Sequence, residues 1–188
     1  MTSAEGFRPL LLARSAVLGA ATLVLLTAIV FLLSPGAGNA ALFTFTINGL
    51  SDQSDINPGN GICDVAPMPG LQCTLRAAIE EANAHEGVEA IDFNIPGVGP
   101  HTIALTSGLP TVTSPVTIDA TTEPDYAGTP VVILNRGTAP AQADGLVLSG
   151  GSITVRGLVI NGFGGSGIRI TGSGHNIIES NYIGTNVS

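Results

Sequence analysis

The sequence predicts an all-β fold, a parallel β-helix begun by an α-helical cap and preceded by a hydrophobic export segment. Three observations carry this: one long apolar run near the start, one helical stripe, and a recurrence of short β runs every 22 to 23 residues in the last third.

The apolar run (SAVLGAATLVLLTAIVFLL) occupies residues 15–33 and follows Arg8 and Arg14. It is closed by Ser34, Pro35, Gly36, Ala37, Gly38, Asn39 and Ala40, small residues that suit signal-peptide cleavage after Ala40. The alternative is an uncleaved anchor, because the run approaches the roughly 20 residues that span a bilayer. Residues 1–40 are therefore expected to be a signal peptide or an N-terminal anchor. Either form places the rest outside the cytoplasm, secreted or at the cell surface.

Residues 43–47 (FTFTI) alternate as a strand with one buried face does, and residues 49–71 are an irregular loop rich in Gly, Pro, Asn and Asp. Within that region Cys63 and Cys73 are expected to pair, since an exported chain meets an oxidising compartment. So short a loop gains about 2.5 to 3 kcal/mol in the chain-entropy account. Thr74 can cap a helix in which Leu75, Ala78, Ile79 and Ala82 form one apolar stripe, with Glu80, Glu81 and Asn83 on the other side and Gly87 beyond its end.

Short β runs follow at 90–95, 102–105, 116–119 and 131–134, with no second helix. Residues 145–148 (GLVL) recur 22 positions later as 167–170 (GIRI), Val155 and Ile160 recur 23 later as Ile178 and Ile183, and Ile133 precedes Val155 by 22. A helix-free step of that length fits a coil of parallel strands, one turn per step. Leu146, Leu148, Ile153, Val155, Leu158, Ile160, Ile168, Ile170, Ile178 and Ile183 then point inward. Gly157, Asn161, Gly162, Gly172, Asn181 and Gly184 make corners, as residues tolerant of left-handed backbone. Domain organisation follows: a cap region over 41–100 and repeats over 101–188, expected to be a truncated run because no end-piece closes it.

Residues 70–84 (GLQCTLRAAIEEANA) closely resemble the motif that names the CSLREA domain of exported bacterial β-helix proteins, with Thr74 for its serine and Ala77 for its glutamate. Residues 59–64, 91–95 and 109–119 share that family's pattern, and residues 174–186 resemble the repeating unit of right-handed β-helices of the pectin-lyase type. The resemblance implies a right-handed parallel β-helix in which Thr74, Leu75, Ala78, Ile79 and Ala82 form the cap helix laid over the open end of the coil.

Composition limits the partners. Lysine is absent, the basic residues beyond the leader are Arg76, Arg136, Arg156 and Arg169, and the formal net charge is −8. Nucleic acid is excluded as an expected partner, since phosphate binding needs clustered cations. Fold relatives that cleave acidic polysaccharides use carboxylates holding calcium with an arginine or lysine base, or paired carboxylates. Here Asp119, Glu123, Asp125, Asp144 and Glu179 do not recur at the 22 to 23 step, and Asp119, the first choice if one were forced, has Ala141 and Gln142 at those offsets. Arg156 and Arg169 are read as solubilising, and His85, His101 and His175 as scattered. The loop at 51–64 is dense in oxygen ligands but does not follow a calcium-loop order, so no cofactor is assigned and calcium alone is left open.

No residue is assigned a catalytic or metal-binding role. The expectation is a non-catalytic exported surface protein, a β-helix stalk or adhesive module able to meet extracellular polysaccharide. The alternative is a polysaccharide lyase or glycoside hydrolase whose catalytic turns lie elsewhere. A glycan-binding module using Tyr126, Phe163 and Tyr182 is a third reading.

Overall fold

The computed structural model describes residues 43–67 and 72–186. The expected export segment, residues 1–40, lies outside the described residues, as do Gly70 and Leu71 of the 70–84 motif. No helix among the described residues is long and apolar enough to cross a membrane.

Eleven short strands and one α-helix follow in order: β1 (Thr44–Ile47), α1 (Leu75–Ala84), β2 (Glu89–Phe93), β3 (His101–Ala104), β4 (Val116–Asp119), β5 (Val132–Asn135), β6 (Leu146–Leu148), β7 (Thr154–Arg156), β8 (Leu158–Asn161), β9 (Ile168–Ile170), β10 (Ile177–Glu179) and β11 (Tyr182–Ile183). A 3-10 turn, Ala120–Thr122, follows β4. Three sheets result, ordered β1-β2-β4-β7-β10, β3-β5-β8-β11 and β6-β9, and every strand pair is parallel. The chain visits the sheets in rotation, so consecutive strands from β6 onward lie in different sheets. Alternation then buries one face of the earlier strands, whereas β9, β10 and β11 are half-buried or exposed. Ile91, Phe93, Ile118 and Val155 from the first sheet, Ile103, Leu134, Leu158 and Ile160 from the second, and Leu146 and Leu148 from the third share one core.

The register confirms part of the expected repeat and corrects the rest. Leu146 pairs with Ile168, Val155 with Ile178 and Ile160 with Ile183, at the expected offsets. Ile133, however, pairs with Val159 rather than stacking on Val155, whose earlier partner is Ile118. The short step holds only for the last round of strands, because longer loops intervene before it. Val155, Leu158 and Ile160 are fully buried as expected, but Ile170 and Ile183 are 52% and 47% exposed. Both sit on strands paired along one edge only among the described residues.

Corners are made as expected by Gly157, whose φ of +78° would strain any side chain. At Gly172 the constraint is space: a Cβ would overlap the Ser149 carbonyl. The asparagines behave differently from the expectation. Asn161 and Asn181 are not left-handed; Ser152, His175 and Ser180 are. Instead Asn135 Nδ2 donates to Asn161 Oδ1 (2.7 Å) and Asn161 Nδ2 to Asn186 Oδ1 (2.6 Å), a side-chain ladder. Asn181 and Asn176 accept from the Leu158 and Ile153 amides (3.0 and 2.9 Å), closing backbone groups of the preceding round.

Helix α1 begins at the expected cap, with Thr74 Oγ1 accepting from the Ala77 amide (3.1 Å). Leu75, Ala78, Ile79 and Ala82 are buried, and the helix packs on β1 and β2. Its other side is covered too: Glu81 is fully buried and Arg76 is 7% exposed. The reason is the preceding loop, which folds back over the helix. Asp55 N donates to Glu80 (2.8 Å), and Gly59 N and Gly61 N donate to Glu81 (2.9 and 3.0 Å). The disulfide between Cys63 and Cys73 closes the same loop, with Cα atoms 5.0 Å apart.

Candidate functional site

The first sheet builds the arrangement with most chemistry in it. Because Ile91, Ile118, Val155 and Ile178 form one inward column, the residues just after them point outward. Those residues are Asp92, Asp119, Arg156 and Glu179, in register on neighbouring strands. Two carboxylates therefore do stack on adjoining strands, contrary to the expectation that Asp119 has no such neighbour. The offsets from Asp92 to Asp119 and from Asp119 to Arg156 are 27 and 37 residues, which hid the column from a search at 22 to 23.

Arg156 is the centre of this column. Its guanidinium holds Asp119 and lies 3.7 Å from Glu179, so it is an ion-pair bridge between strands and not merely a solubilising charge. Asp119 also accepts from Thr121 N (3.0 Å) and Thr121 Oγ1 (2.5 Å) at the 3-10 turn, the backbone-capping role its place at a strand end suggested. Burial pushes the Asp119 carboxyl up, but the bonds from Arg156 and Thr121 outweigh it and leave its pKa lowered. Asp92 has no such bonds: burial and the neighbouring Asp119 charge raise its pKa, with Arg156 opposing.

The two shifts act oppositely on acid stability. Asp119, with its folded value depressed, stabilises the fold above the unfolded-chain value of about 3.9, and this is lost as pH falls through the lower folded value. Asp92, with its value raised, destabilises the fold at neutral pH, and acid relieves that. Asp119→Asn is expected to cost about 1 kcal/mol at pH 7, after discounting for the solvent-screened Arg156. It should cost less at pH 2.5, by urea unfolding; an equal loss at both pH values would refute this account.

The other sequence candidates fall in separate places. Arg169 pairs with Asp144 (3.3 Å) on the third sheet. In the loop at 51–64, Asp52 is engaged by Arg76 and by Thr106 N (2.7 Å), and Asp55 accepts from Asn57 N (2.8 Å) and Asp64 N (2.9 Å). These oxygens organise backbone and α1, while Asp64 Oδ1 is buried with no hydrogen-bond partner among the described residues. His85 bonds Glu81 (3.1 Å) and stacks on Phe43, while His175 occupies a left-handed corner. Tyr126, Phe163 and Tyr182 belong to different segments, of which Tyr182 is 40% exposed.

A second cluster was not foreseen. His101 at the start of β3 meets Glu123 and Asp125 just beyond the 3-10 turn, and one ligand atom from each lies within 4.8 Å of the others. Glu89 was also missed: it is 1% exposed, and neither oxygen has a hydrogen-bond partner among the described residues. No protein-family model, no curated protein and no solved structure matches this chain, so the chemistry of these clusters is read from their geometry.

Proposed function

We propose that the parallel sheets are the faces of a right-handed parallel β-helix, that α1 and its loop close one end of it, and that the whole is a non-catalytic stalk or adhesive module on an exported bacterial surface protein. The resemblance of residues 70–84 to the CSLREA motif supports export and the capping role, and the all-parallel pairing supports the coil. The observation that carries the non-catalytic reading is the state of Asp119 and Arg156. Each is bound to the other, and Asp119 is further tied to Thr121, so neither is a free base or nucleophile. Extracellular polysaccharide is the partner proposed for the outer face, met without cleavage.

A second reading, a polysaccharide lyase or glycoside hydrolase, is favoured by one feature: Asp92 stacks on Asp119 and has a raised pKa, as a general acid requires. Incubation of the exported protein with pectate and alginate, with and without calcium, separates the two. No unsaturated or reducing ends above background are expected. Release of such ends, abolished by Asp92→Asn or Asp119→Asn, would establish the enzyme reading.

A further inference from the structure

We propose that His101, Glu123 and Asp125 bind a first-row divalent transition metal, of the zinc or manganese kind, that ties the start of β3 to the turn after β4. Alternation puts His101 on the same face of β3 as the core residue Ile103, so its imidazole is 5% exposed. Glu123, 2% exposed, is brought beside it by the 3-10 turn, whose last backbone bond runs from the Glu123 amide to the Ala120 carbonyl. Asp125, two residues on, has a side chain 33% exposed and is the most exposed of the three.

His101 Nε2 lies 3.6 Å from Glu123 Oε1 and 3.8 Å from Asp125 Oδ2. It is a buried nitrogen without a hydrogen-bond partner among the described residues. A histidine simply paired with carboxylates closes to about 2.7 to 2.9 Å. These atoms instead stand near the edge length of a coordination shell, since two ligands each about 2.0 to 2.1 Å from zinc at a tetrahedral angle are about 3.3 Å apart.

Backbone amides fix both carboxylates, Glu123 through the oxygen away from His101 and Asp125 through the oxygen that faces it, which keeps a second lone pair for a metal. Ile95 N donates to Glu123 Oε2 (2.9 Å), leaving Oε1 toward His101, and Gly99 N donates to Asp125 Oδ2 (2.7 Å). No arginine among the described residues pairs with either acid, and His101 is the one basic side chain against them. One imidazole nitrogen with two carboxylate oxygens suits zinc, manganese or cobalt, whereas calcium and magnesium prefer oxygen throughout. Three protein ligands leave a further position for water on the Asp125 side. The site is independent of the Asp92 column and of the stalk reading.

The test is zinc titration by calorimetry of the full chain after dialysis against a chelator, with manganese and calcium in parallel and thermal midpoints recorded. Expected are about one equivalent of zinc, a raised midpoint, and no calcium uptake at the same concentration. His101→Ala should abolish uptake, and Asp125→Asn, on the exposed side and least able to disturb folding, should weaken it at least about tenfold. His175→Ala should bind as the parent does. No zinc uptake by the folded parent, or uptake unchanged in Asp125→Asn, would overturn the proposal.

Discussion

Replacing Ile79 with aspartate is expected to lower stability by about 3 to 5 kcal/mol, enough to unfold most of a marginal domain. Ile79 has no exposed surface and sits in the same core as the strand residues Ile47, Ile91 and Phe93. A carboxylate there would lie on the face of α1 that packs on β1 and β2, and Arg76, three positions earlier on the helix, is already engaged by Asp52. Ile79→Val removes one methylene and should cost about 1 kcal/mol, which separates loss of packing from burial of charge. Urea unfolding followed by circular dichroism measures both. An Ile79→Asp midpoint equal to that of the parent would mean that α1 is not part of the core.

Glu81→Leu should destabilise by about 2 kcal/mol although it makes a buried position more apolar. The carboxylate accepts from Gly59 N, Gly61 N and His85 Nε2, and all three lose their partner. Water can reach parts of the loop, which limits the loss. Glu81→Gln keeps one acceptor oxygen and should fall between the two. The loop at 57–62 should also become a site of limited proteolysis in Glu81→Leu, because its amides hold it against the helix. If the Leu variant resists protease and melts with the parent, the anchor is dispensable.

The two residues also mark where sequence reading succeeds and where it stops. Ile79 was legible because helical periodicity places it with Leu75, Ala78 and Ala82, and nothing about the tertiary fold changes that face. Periodicity places Glu81 on the other side of the helix but not what covers it there, because it knows one partner for a helix, whereas this helix has two, the sheet below and the loop above. The capping threonine is legible for the same local reason as Ile79, and the disulfide because the described cysteines are two in number, ten positions apart.

The outward column is the opposite case. Asp92, Asp119, Arg156 and Glu179 occupy equivalent places on adjoining strands, but the chain between them varies from 23 to 37 residues. Strand spacing is fixed by hydrogen bonding at about 4.8 Å, while loops can take any length that returns the chain to the edge. A search at constant interval therefore sees only Arg156 and Glu179. His101, Glu123 and Asp125 meet through a strand start and a turn that are not stacked on one another, so no repeat of any period would unite them.

The asparagine ladder has a consequence for how the protein bears load. In a stack of parallel strands the backbone hydrogen bonds run along the stacking direction, from each strand to the next. Asn135, Asn161 and Asn186 add side-chain bonds pointing the same way. A pull along the stack cannot open these bonds one after another, as peeling a hairpin does; all the bonds crossing a given level share the tension. The weakest level, not the weakest bond, then sets the breaking force. Between β5 and β8 four residue pairs share it, and the Asn135 to Asn161 side-chain bond adds to the same level.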